Sequence, residues 1–200
     1  MSEVLEFLFG SKIKTRLIRF FLMNTEKDYS IQEICAKNML KSSQTRVVLN
    51  EFIKNKFVLE RRRNGIKSYA FNQNFPFFTE LKSLFIKSNI SPQWGSFDKI
   101  KTIGDVKLAL ISGVFLNYPK SKADIILVAN NVNRTRLKNL MCALEAEVGR
   151  EISYVLMNSE EFKYRLDMLD RFLLDFMEGP HDEIINKIPR LKIFISGLKR

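Results

Sequence analysis

A chain of 200 residues, 46% hydrophobic and carrying 17 Phe, is long enough for one or two domains and too apolar to be disordered by composition. No apolar stretch approaches the roughly 18 residues of a membrane span, and the opening MSEVLEFLFG has acids and too short an apolar run for a secretion signal, so a cytoplasmic protein is expected. The formal net charge of +11 calls for an anionic partner, and it is uneven: residues 1–90 hold 16 Lys and Arg against 8 Asp and Glu, leaving 17 and 14 for the remainder.

Residues 1–10 alternate Val4, Leu5, Phe7, Leu8 and Phe9 with acids, and suit a short helix or a dimer contact. Gly10-Ser11 breaks and caps. From Lys12 to Met23, Ile13, Leu17, Phe20 and Phe21 form a helical stripe, with Lys12, Lys14, Arg16 and Arg19 mostly on the opposite face, expected either to graze phosphate or to lie solvated. Asn24 to Tyr29 reads as a polar link. Ser30 and Glu33 then make a capping box for a helix to about Lys37.

After a break at Asn38 to Lys41, a second helix starts at Ser42 or Ser43, with Thr45, Val48, Leu49, Phe52 and Ile53 toward a core. Its outward positions are Ser43, Gln44, Arg46, Val47 and Asn50. Gln and Asn amides match adenine in a DNA major groove, and Arg matches guanine. The period then changes to two. Phe57 to Arg63 and Ile66 to Phe71 flank Asn64-Gly65, a hairpin turn signal. Arg61, Arg62, Arg63 and Lys67 crowd the hairpin tip, as phosphate contacts or a minor-groove insertion require.

Helix, turn, helix and basic hairpin resemble a winged helix-turn-helix domain, and the preceding helix extends the likeness. The resemblance implies a transcriptional regulator with Ser42 to Lys54 as recognition helix and Arg61 to Lys67 as wing. Lys56 departs from the pattern, since a glycine often follows that helix.

Phe77, Phe78, Leu81, Leu84, Phe85 and Ile86 lie on a trailing helix that needs a covering surface, either this chain's core or a homodimer seam. Residues 88–97, with Pro92, Trp94 and Gly95, form the best domain boundary. Beyond it come apolar runs at Val106 to Val114 and Ala123 to Ala129, a helix over Arg134 to Val148, a strand candidate at Ile152 to Met157, and helices from Ser159 and Asp170. This order indicates a small α/β domain. Cys35 and Cys142 are expected as buried free thiols. His181, beside Asp182 and Glu183, lies in an expected surface turn.

The strand, loop, strand, helix, strand layout resembles the minimal nucleotidyltransferase domain of the polymerase-β-like superfamily. There a Gly-Ser phosphate loop, an Asp-x-Asp strand and a third carboxylate hold two Mg²⁺ ions. Ser112 and Gly113 stand at the loop place in reversed order. Asp124 stands at the first acid, Ile126 replaces the second, and Ser153 stands where the third would be. The likeness implies a degenerate, non-catalytic nucleotide site with no metal and no cofactor.

The expected fold class is α+β, with a winged helix-turn-helix domain over 1–90 and a nucleotidyltransferase-like α/β domain over 97–200. The expected function is sequence-specific binding of double-stranded DNA as a homodimer, with no membrane partner. A nucleotide or protein partner is open for the second domain. The alternatives are an active nucleotidyltransferase with a nucleic-acid arm, and an antitoxin-like protein-interaction module.

Overall fold

Ser11 accepts a bond from the Lys14 amide and starts α2 (Lys12–Met23), the helix around which the first half packs. The computed structural model describes residues 3–63, 65–88, 96–189 and 191. The described residues are mixed α+β, 51% helix and 19% strand, with a two-stranded and a four-stranded sheet among them. The chain divides into two compact units: Met1–Gly95 with Cys142–Glu151, and Ser96–Met141 with Ile152–Arg200.

In the first unit α1 (Glu3–Phe9) precedes α2, and α3 (Ile31–Asn38) and α4 (Ser42–Lys54) follow it. The Ser30 and Glu33 capping box forms in full. The Ser30 amide and then its hydroxyl hold the Glu33 carboxyl below the usual carboxylate range. That contribution is complete at neutral pH and lost as pH falls through the lowered value. β1 (Val58–Arg63) and β2 (Ile66–Phe71) pair antiparallel, Val58 opposite Phe71 and Arg63 opposite Ile66. Gly65 has φ 78°, while Asn64 lies outside the described residues. Tyr29 exchanges two backbone bonds with Tyr69, at 3.0 and 2.8 Å, so the expected polar link ends in an isolated antiparallel bridge to β2.

A chain of ring contacts joins these elements: Phe20 to Tyr29, Phe21 to Phe52, Phe52 to Phe57, Phe57 to Phe71, and Phe71 to Phe78. The first four of these pairs are edge-on and the last is tilted; aromatic pairs add roughly 0.5–1.5 kcal/mol each beyond area burial. Phe78 opens α5 (Phe78–Lys87), whose Phe85 is buried in the same core and meets Phe9 of α1. The trailing helix is thus largely covered by its own unit, with Phe77 and Leu84 left exposed.

Two expectations for this unit are corrected. Arg19 is 1% exposed, so α2 is buried on nearly every side and has no fully solvated basic face. Its guanidinium donates from Nη1 to the Glu147 carbonyl (2.7 Å) and from Nη2 to Ser88 Oγ (3.4 Å), over the Phe85 ring. Arg16 is also largely withdrawn, donating to the Asn38 carbonyl at 2.9 Å. Helical periodicity assigns a face by residue type, and it misplaces an arginine whose donors are met by a carbonyl and a hydroxyl from distant sequence. The second correction is Cys142, which is exposed, while Cys35 is half-buried; both are free.

Lys56 closes α4 at φ 55°, with its carbonyl accepting from Asn72 Nδ2 at 2.7 Å. A side chain in this left-handed region costs roughly 1 kcal/mol, which glycine avoids. Lys56→Gly is therefore expected to raise stability by about 0.5–1 kcal/mol in urea unfolding; a loss of stability would contradict this account of the turn.

The second unit holds β3 (Asp105–Ile111), β4 (Ile125–Asn130), α6 (Arg134–Val148), β5 (Tyr154–Met157), α7 (Ser159–Asp167), α8 (Arg171–Glu178) and β6 (Asp182–Asn186). The last turns of α6, from Cys142, count with the first unit. The sheet order is β5-β4-β3-β6, with β4 and β5 parallel and the other pairs antiparallel. Leu108, Leu110, Ile126 and Val128 pack with Met157, Phe162, Leu173 and Phe176. Ala109, Ile125 and Leu127, alternating with these, are buried too, so both faces are covered. The segment after His181, to which the sequence pattern assigns no element, is a strand: Asp182 and Glu183 pair with Ile111 and Leu110. Two acids and two isoleucines offer too little alternation to mark a strand, which the neighbouring β3 creates by supplying partners.

Candidate functional site

α3 and α4 are joined through Met39, at φ 52°, and Leu40. Thr45 and Leu49 are buried, and Phe52 wedges between Phe21 and Phe57, which fixes the rotation of α4 about its axis. Ser43, Gln44, Arg46, Val47 and Asn50 consequently all face solvent. Arg46 Nε lies 3.4 Å from Ser42 Oγ, one turn back. Glu51 is tied to Lys14 of α2, so the acid bordering this face is neutralised from within the unit.

The hairpin places Arg61, Arg62 and Lys67 at exposed positions. Arg61 pairs with Asp28 (2.9 Å) and Lys67 with Glu60 (2.9 Å), partners that the sequence pattern did not single out. Arg62 makes no ion pair among the described residues, and it sits directly across the ladder from Lys67. Like charges directly opposite destabilise a hairpin unless an anion lies between them. Arg63 ends β1, and its side chain is outside the described set.

In the second unit the fold brings Ser112, Gly113, Asp124 and Ser153 together at one end of β3, β4 and β5. Asp124 is 7% exposed. Its Oδ1 accepts from the Val114 amide (2.8 Å), and its Oδ2 accepts from the Ser153 amide (2.8 Å) and hydroxyl (3.1 Å). Ser112 Oγ donates to the Pro180 carbonyl at 2.6 Å. Gly113 stands at φ 52°, and a Cβ added there would lie 2.0 Å from Asp124 Oδ1. The carboxylate thus holds the loop to β5 by charge-assisted bonds. The Val114 amide is turned inward to that carboxylate. Among the described residues no group of three or more His, Cys, Asp or Glu is placed to hold a metal ion.

Near this loop a cleft of about 370 Å³ is lined by Tyr118, Lys120, Lys122, Phe172, Asp175 and Phe176 among others. Lys122 bonds Asp175 at 2.8 Å and holds that carboxyl below its usual range. In the sequence, only Lys120 and Lys122, two residues apart between β3 and β4, hint at this cleft. No helix among the described residues is long and apolar enough to cross a membrane. The chain matches no family model, no curated protein and no solved structure.

Proposed function

We propose that this chain is a sequence-reading DNA-binding regulator: a winged helix-turn-helix unit followed by a non-catalytic, nucleotidyltransferase-like α/β unit. One observation carries the reading. α4 is anchored by Thr45, Leu49 and Phe52, and it offers Ser43, Gln44, Arg46 and Asn50 to solvent beside a cationic hairpin. Short polar side chains on a rigidly held helix are what base-edge readout needs, and wing cations suit phosphate.

Among the wing cations whose side chains are described, the pairing of Arg61 and Lys67 with acids leaves Arg62 the most available to a phosphate. In fluorescence anisotropy against duplex from upstream of the protein's own gene and against scrambled duplex, Arg62→Ala is expected to weaken both and flatten the salt slope by about one. Gln44→Ala should instead erode the preference between them by about 1–3 kcal/mol. Equal effects of both variants on both duplexes would remove the claim of sequence reading.

A homodimer fits the exposure of Val4, Phe7 and Leu8 on α1, of Phe77 just before α5 and of Leu84 on it, since two-fold readers bind paired half-sites. The nucleotidyltransferase reading is disfavoured by the single acid of the cluster, whose oxygens are already committed to Val114 and Ser153.

A further inference from the structure

The solvent face of α4 contains one aliphatic side chain. Val47 is 70% exposed, whereas the other apolar residues of α4 (Val48, Leu49, Phe52 and Ile53) lie in or against the core. Ser43 and Gln44 precede it by four and three residues, and Asn50 and Glu51 follow by three and four, so these four surround it on the helix surface. Glu51 is drawn to Lys14, which leaves the two amides and a serine hydroxyl as the polar frame around Val47.

Helix stability does not account for this valine. A β-branched residue at an exposed helical position is a poorer helix former than Ala, Lys or Gln, and Val47 contributes nothing to the core of its unit.

In a DNA major groove the one apolar feature on the base edges is the C5 methyl of thymine. The same base pair presents adenine N6 and N7, the donor and acceptor that a Gln or Asn amide meets bidentately. A ridge of Gln44, Val47 and Asn50 therefore carries both halves of a match to A·T pairs. We infer that the half-site read by α4 is centred on A·T pairs, with Val47 against a thymine methyl and Gln44 or Asn50 on a neighbouring adenine. The inference rests on the DNA-reading function proposed above and names its target chemistry.

The test uses the full chain and a pool of random 20-base-pair duplexes. Retained duplexes are sequenced, and each thymine of the recovered site is replaced in turn by deoxyuridine, which removes only the methyl. Enrichment of A·T pairs is expected, with one substitution weakening the wild type about fourfold, the worth of one buried methyl group. Val47→Ala, at an exposed position where alanine favours the helix, should bind the thymine and deoxyuridine duplexes equally. A recovered site with a G·C centre, or indifference of the wild type to every deoxyuridine, overturns the inference while leaving DNA reading intact. Retention of no duplex at low salt overturns DNA reading and this inference with it.

Discussion

Gly113→Ala is expected to destabilise the α/β unit by about 4 kcal/mol, among the largest effects of any single substitution in the chain. The backbone at φ 52° alone costs an alanine about 1–2 kcal/mol. The added Cβ would also lie 2.0 Å from Asp124 Oδ1 and 3.2 Å from Asp124 Cα. The carboxylate must move, and with it go its bonds to the Val114 amide and to Ser153, hydrogen bonds to a charged group worth about 1.5–3 kcal/mol each. Hydrogen exchange of the Ile125 to Val128 amides reads the loss, since these lie in the central strand β4. In an Asp124→Ala background the clash is gone, so the further cost of Gly113→Ala should fall to roughly the backbone strain of 1–2 kcal/mol. Strict additivity of the two substitutions would show that the glycine is not there for the carboxylate.

Arg19→Ala should cost the first unit about 3–5 kcal/mol, as removal of one member of a buried charged set does. Burial lowers the Arg19 pKa to about 10, opposed by the nearby Glu147 charge, and the group stays protonated at neutral pH. Alanine leaves the Glu147 carbonyl without its 2.7 Å donor and empties the space beside Phe85. The sign of the pH dependence follows from the lowered value. The folded state penalises the charged form, and that penalty is relieved only as pH rises from about 10 toward the ordinary arginine range. The difference between wild type and Arg19→Ala in urea unfolding should therefore be flat from about pH 6 to 9. A difference below about 1 kcal/mol would mean that the guanidinium is solvated after all.

The features legible in the sequence are those that local chemistry decides. Ser30 with Glu33 caps α3 through contacts three residues apart, and the spacing of Thr45, Leu49 and Phe52 alone orients α4. The helix over Arg134 to Val148 likewise follows from its own periodicity. What was hidden depends on partners far along the chain. Arg19 is buried because the Glu147 carbonyl lies 128 residues away in sequence and beside it in space. Tyr29 gains its bridge only from Tyr69, and β6 its ladder only from β3. The grouping of Ser112, Gly113, Asp124 and Ser153 was suggested by resemblance, yet the inward commitment of the Asp124 carboxylate belongs to loop geometry that no spacing encodes. At the hairpin, sequence could count cations but could not show that Asp28 and Glu60 already hold two of them.

The most direct test of the central claim is fluorescence anisotropy of the wild-type chain with duplex from upstream of its own gene, titrated at a series of salt concentrations. The account predicts tight binding at low salt, a log–log slope set by the few phosphates that the hairpin and α4 flank can reach, and a preference over scrambled duplex that persists as salt rises. Absence of binding at low salt would contradict it, and would leave the exposed face of α4 as a surface for some partner other than DNA.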